Sequence, residues 1–247
     1  MTFRLFLLSA AASALLAGAQ PALAADAAAA PPRPRTLQVL SEAQANPAHL
    51  IPAPPKDGSD LQKAELAEVQ RVYKSRSAER HAQAEWDDKH EDINIFAATL
   101  GPQVDLARLP ATADLLRAVQ IEQGIVINMG KRTFLRNRPW AIDPSIVACD
   151  YKPGAAPQTS YPSGHAGLGY SLGFILAQLM PERAQPILAR AQEYAYSRVV
   201  CGAHYPSDIE ASHVLATQTV MMMMQDSRFA ERFQAAKAEL RAARLAD

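Results

Sequence analysis

The sequence predicts an all-α protein folded as a single-domain helical bundle. Two observations carry the class. From Ser59 onward apolar residues recur at spacings of three to five with charges between them, as in Leu61, Leu66, Val69, Val72 and Tyr73, the period of a helix with one buried face. Sustained alternation of Val, Ile or Thr, from which a sheet would be built, is missing. Length agrees with one domain: 247 residues, 49% of them hydrophobic, suffice for a sizeable core. The two cysteines are too few for a disulfide-dense scaffold or a thiolate zinc site, so ordinary packing must hold the fold.

The elements follow in chain order. Arg4, the apolar run from Leu5 to Gly18, and Ala22-Leu23-Ala24 make residues 1–24 a signal peptide with cleavage after Ala24. No cysteine follows that site to take a lipid. Residues 25–58 form an Ala/Pro-rich arm, with Pro31-Pro32-Arg33-Pro34 and Pro52-Ala53-Pro54-Pro55, a composition of extended and poorly packed chain. Residues 59–247 are the helical domain. Beyond the helix opening at Ser59, its candidates run over 91–100, 111–128, 165–180, 184–198, 207–225 and 227–244. The acidic stretch Trp86-Asp87-Asp88-Lys89-His90-Glu91-Asp92 reads as a charged helical face and not as a metal site, and Met221 to Met224 read as a buried helix end.

Charge excludes several functions. With 25 Lys+Arg against 25 Asp+Glu, and no basic run, a general nucleic-acid binder is not expected. Loss of Arg4 with the leader leaves acidic residues one ahead. No later stretch reaches the roughly 18 to 20 uncharged apolar residues of a membrane span. An exported, soluble, periplasmic protein is the expectation.

Three short stretches place unusual polar groups beside helix ends. The first is Lys131-Arg132-Thr133-Phe134-Leu135-Arg136-Asn137-Arg138-Pro139, after the apolar helix 111–128. On its own it is a basic helix end favoured by the macrodipole, and it lacks the spacing of a P-loop. The second is Tyr161-Pro162-Ser163-Gly164-His165, where Ser163 caps a helix and the amides of Ser163, Gly164 and His165 make an anion cradle. A serine-hydrolase elbow is excluded, because Tyr161 and His165 stand where glycines are required. The third holds Ser197-Arg198, His204 and Asp208. Ser207 and Glu210 have the capping-box pattern, so a helix starts near Ser207 with Asp208 in its first turn and His204 just before it. An Asp accepting the Nδ1 proton of a His leaves Nε2 free as nucleophile, base or metal ligand.

In order, the three read Lys-x6-Arg-Pro, Pro-Ser-Gly-His and Ser-Arg-x5-His-x3-Asp. This resembles the tripartite signature of the type 2 phosphatidic acid phosphatase and vanadium haloperoxidase superfamily, and in particular its exported bacterial branch, the class A nonspecific acid phosphatases. The signature spans residues 131–208, with looser similarity from about residue 50 to about residue 215. Two positions depart from the pattern: Thr159 and Ala166 stand where those phosphatases have glycine and threonine, which bears on substrate range.

The resemblance implies a helical bundle of the acid phosphatase and haloperoxidase type, hydrolysing phosphomonoesters through a phosphohistidine. His204 would attack phosphorus, Asp208 would orient it, and His165 would protonate the leaving alcohol. Lys131, Arg138, Arg198, Ser163 and Gly164 would bind the phosphoryl oxygens. Three cations in such a cluster can replace a metal, so neither metal nor other cofactor is expected. Small phosphomonoesters are the expected partners, nucleotides among the candidates, with homo-oligomers left open. If the motifs converge on one phosphate, Cys149 and Cys201 come close enough for a disulfide, which export permits. A vanadium-dependent haloperoxidase and a non-catalytic phosphate-binding protein remain as alternatives.

Overall fold

The computed structural model describes residues 36–247; the expected leader, 1–24, and the first part of the arm, 25–35, lie outside the described residues. Seven longer helices make up the body: α1 (Asp60–Ser75), α2 (Ala78–Lys89), α3 (Pro110–Phe134), α4 (Gly164–Leu179), α5 (Ala184–Val200), α6 (Pro206–Gln225) and α7 (Ser227–Ala242). No strand occurs among the described residues, as the missing alternation predicts. No helix among them is long and apolar enough to cross a membrane.

α4 is the central helix. It is apolar on nearly every side, so it must be covered all round, and α3, α5 and α6 pack against it. Gly169 lets α5 come close, since a Cβ there would lie 2.7 Å from Tyr194 Cδ1. Helix starts follow local chemistry: the side chains of Ser59, Ser77, Ser163 and Asp226 each accept a backbone N–H in the first turn of α1, α2, α4 and α7. The last helix buries Phe229, Phe233 and Leu240, the stripe its spacing predicts.

Four expectations need correction. First, the arm is packed from its described start: Leu40, Ala45 and Ile51 are buried, and the N–H groups of Gln38, Val39 and Leu40 all donate to the Glu122 carboxylate of α3, at 2.9, 3.2 and 2.7 Å. Composition hid this, because the partner lies 82 to 84 residues on. Second, α2 is a separate helix whose acidic end faces inward; Asp87 is fully buried against Arg190 and Ser197. Its low apolar content concealed it, since it is held by ion pairs and not by an apolar stripe. Third, the expected helix 91–100 is a 3-10 turn, Ile93–Phe96, followed by the single turn Ala97–Leu100. Fourth, of Met221 to Met224 only Met223 is buried, and Met221 is exposed.

Candidate active site

The site is assembled from the ends of four helices. α3 runs six residues further than the apolar pattern suggested, to Phe134, which puts Lys131 in its last turn. Leu135 then adopts the left-handed conformation, φ 47°, and turns the chain so that Arg136 and Arg138 point back inside. The Ser160 amide donates to the Arg136 carbonyl at 3.1 Å and that of Arg138 to the Pro157 carbonyl at 2.9 Å, tying this segment to the lead-in of α4. That lead-in includes a cis peptide bond between Tyr161 and Pro162.

α5 ends at Val200, with Arg198 fully buried in its last turn. Gly202 reverses the chain at φ +71°, and a Cβ there would lie 2.4 Å from Ile146 Cγ2, so only glycine fits. The Ala203 and His204 amides both return to the Arg198 carbonyl, at 3.0 and 3.3 Å, which delivers the imidazole beside the arginine. α6 begins at Pro206, one residue earlier than the capping pattern of Ser207 and Glu210 suggested. Tyr205 is the cap residue and Asp208 the third helical one, its Oδ2 accepting the Tyr205 N–H at 2.9 Å.

A disulfide joins Cys149 to Cys201, as anticipated from the convergence of the motifs. It ties the loop after Arg138 to the turn that carries His204.

His204 and Asp208 meet as their spacing predicts. His204 Nδ1 lies 3.1 Å from Asp208 Oδ2, and its Nε2 lies 3.0 Å from Arg138 Nη1. With Nδ1 protonated toward the carboxylate, the Nε2 lone pair faces the guanidinium. Burial, reinforced by Arg138, Lys131, Arg198 and His165, holds the His204 imidazole well below its ordinary value, so it stays neutral in mild acid. Burial raises the Asp208 carboxyl, and Arg136, the Ser160 hydroxyl and the Tyr205 amide pull it back. Arg136 at 2.6 Å and Ser160 Oγ at 2.6 Å, with the Tyr205 amide and His204, put four donors on its two oxygens, the environment of an ionised carboxylate.

Lys131, Arg138, Gly164, His165 and His204 line one cavity of about 580 Å³. Among the described residues Lys131 makes no ion pair; burial, with help from Arg138, pushes its amine down to about 8. A Cβ at Gly164 would meet only Glu91 Oε1, at 4.0 Å, so the way to its amide is open. The amides of Gly164 and His165, at the first turn of α4, have no intrahelical acceptor. The Ser163 amide is already used, donating to the Asp208 carbonyl at 3.4 Å, and the Ser163 hydroxyl, fully buried, caps the Ala166 amide. The cradle read from sequence is thus two amides and not three. Arg198, fully buried, is paired with Asp88 and Asp150, both of which line the same cavity.

His165 has both ring nitrogens facing acceptors, Nδ1 at 2.9 Å from Glu91 Oε1 and Nε2 at 3.0 Å from the Asp88 carbonyl, a pairing that the doubly protonated ring satisfies. The hydrogen bond from His165 holds the Glu91 carboxyl below its ordinary value.

Sequence reasoning missed the carboxylates that hold the cations. Asp88 pairs with Arg198, and Asp150 with both Arg138 and Arg198. Asp87, Asp88 and Glu91 all come from the stretch read as a charged face; the signal was their i, i+1, i+4 spacing, ambiguous without knowing which side is buried. Arg136 was assigned to a basic helix end and is buried between Asp208 and Glu65. Thr159, one of the two departures, contacts the site: its hydroxyl accepts from Arg138 Nε at 3.3 Å.

Residues 114–232 match the PAP2 superfamily. The chain is 33% identical over 204 residues to an acid phosphatase of Zymomonas mobilis subsp. mobilis, covering 81% of this chain and 77% of that protein. The chain belongs to the PAP2 superfamily. It is 30% identical over 199 residues to a non-specific acid phosphatase of Providencia stuartii, covering 77% and 79% of the two chains, and 29% identical over 175 residues to one of Salmonella typhimurium. As a PAP2 superfamily member whose curated relatives are acid phosphatases, the protein is an acid phosphatase.

Proposed function

We propose that the enzyme is exported to the periplasm and hydrolyses small phosphomonoesters through a phosphohistidine on His204. The observation behind this reading is the buried, neutral His204, oriented through Nδ1 by Asp208, with Nε2 in a cavity shared with Lys131, Arg138 and the free Gly164 and His165 amides. Cations and amides neutralise the equatorial oxygens while Nε2 attacks in line. The Nε2–P bond forms as the ester P–O bond breaks, and the leaving oxygen takes the Nε2 proton of His165, which turns to it from the Asp88 carbonyl. His165, now neutral, removes a proton from water as that water attacks phosphorus. The Nε2–P bond then breaks, releasing inorganic phosphate with His204 neutral and His165 protonated again.

Acid-quench trapping of labelled phosphoenzyme, with rates across leaving groups of graded pKa, tests the division of labour. His204→Ala abolishes the trapped intermediate with every substrate. His165→Ala slows poor leaving groups most and p-nitrophenyl phosphate least. Trapped phosphate on His204→Ala, or loss of the intermediate in His165→Ala alone even with p-nitrophenyl phosphate, overturns the assignment.

A further inference from the structure

The cations of this site are not waiting alone. Asp150 Oδ2 lies 3.3 Å from Arg138 Nη1 and 3.0 Å from Arg198 Nη2, so one carboxylate oxygen bridges two guanidinia. Its side chain lines the same cavity as His204 and is 29% exposed, whereas Arg138 and Arg198 are buried. Its other oxygen, Oδ1, is buried without a partner.

We propose that Asp150 is a tethered competitor for the phosphoryl position, setting how weakly the enzyme holds phosphate. This rests on reading Arg138 and Arg198 as phosphoryl ligands. Both arginines have other anchors: Arg198 Nη1 is held by Asp88, and Arg138 by the Ala203 carbonyl through Nη1 and by Thr159 through Nε. Asp150 is therefore not needed to orient them. What it does supply is an anion facing the cavity, bridging the groups that would grip an incoming one. Its neighbour Cys149 is bonded to Cys201, three residues after Arg198, so a displaced Asp150 cannot travel far and returns at high effective concentration. Even when displaced, its charge stays beside the bound phosphate. The consequence is weak retention of product, and a larger penalty for inorganic phosphate as a dianion than for a singly charged species.

The test is Asp150→Asn, which keeps the shape and removes the charge, read as the competitive inhibition constant of inorganic phosphate. Removing a unit charge a few ångströms from the bound anion lowers that constant by about tenfold or more. Asp150→Glu, which retains the charge, stays within about threefold of the parent, well short of a tenfold change. An unchanged or raised constant for Asp150→Asn, with an unfolding midpoint like that of the parent, makes Asp150 a strut for the arginines and overturns the proposal. Lys131→Ala and Arg138→Gln separate the two readings, because each raises the constant if the cavity binds the phosphoryl group. If both leave it unchanged, the phosphoryl assignment fails; if they raise it while Asp150→Asn does nothing, only the Asp150 inference fails.

Discussion

Arg136 holds Asp208: Nη1 lies 2.6 Å from Oδ1, both side chains are buried, and the second guanidinium nitrogen reaches Glu65 Oε2 at 2.7 Å. The carboxylate that orients His204 is thus fixed by a cation outside the three signature positions, stacked 4.1 Å over the Tyr205 ring. Replacing Arg136 by Met leaves two buried carboxylates without the cation they share. Breaking a buried pair in this way costs about 3 to 5 kcal/mol. Urea unfolding of Arg136→Met checks it, and a loss below about 1 kcal/mol, the scale of an exposed pair, would show that the network contributes little.

If Lys131 binds the phosphoryl group as proposed, it sets the alkaline limit. Its amine is held at about 8, so it is charged through acid and neutral pH and loses its proton as pH rises past that value. Affinity for the phosphoryl group falls with it. The expected profile of kcat/KM declines above pH 8, and Lys131→Arg, whose guanidinium stays charged, moves the decline upward. An unmoved limb would assign it to another group.

His204 makes folding stability depend on pH in mild acid. Folded, it titrates well below its ordinary value of 6.5; unfolded, it takes a proton near that value. Its contribution is present above pH 6.5 and is lost as pH falls from there toward the folded value. Between pH 6.5 and 5 the parent loses stability more steeply than His204→Asn, as measured by denaturant titration at several pH values.

Chelation is not expected to matter. On the proposed reading, Lys131, Arg138 and Arg198, whose charges all act on His204, supply the positive charge that a metal would bring to a phosphoryl group. Activity survives exhaustive EDTA dialysis, while vanadate inhibits as a trigonal-bipyramidal mimic of the transferring group. Loss on dialysis with recovery on a divalent ion would reverse this.

The disulfide closes a loop of 52 residues around the site. Cys149→Ala/Cys201→Ala lowers stability by about 2 to 4 kcal/mol. Two free thiols in the unreduced, denatured protein would show that the bond does not form.

The fold class and the three motifs were legible because their signals are local. A helix writes its period into consecutive residues, and His204 and Asp208 lie only four positions apart in the sequence. Glu65, Asp88, Glu91 and Asp150 were not legible, because their arginine or histidine partners lie well outside the local sequence, from 12 residues away for Asp150 and Arg138 to 110 for Asp88 and Arg198, and nothing in the neighbouring sequence marks which acid will be turned inward. Glu65 shows the difficulty. α1 was expected to bury Leu61, yet Leu61 is 62% exposed and Gln62 and Glu65 face in, toward Tyr205 and Arg136. Polar demand at the site overrode the apolar stripe at the start of α1, while Val69 and Val72 further along remain buried.

The clasp of Glu122 on Gln38, Val39 and Leu40 has a bearing on how short the polypeptide can be made. Glu122 is fully buried, and those three amides are the hydrogen-bond donors that match its charge. A chain trimmed to begin at residue 41 would therefore keep all seven long helices and still be damaged at the middle of α3, its carboxylate stranded in the interior. The natural place to cut for expression lies ahead of Leu37, well upstream of the first long helix.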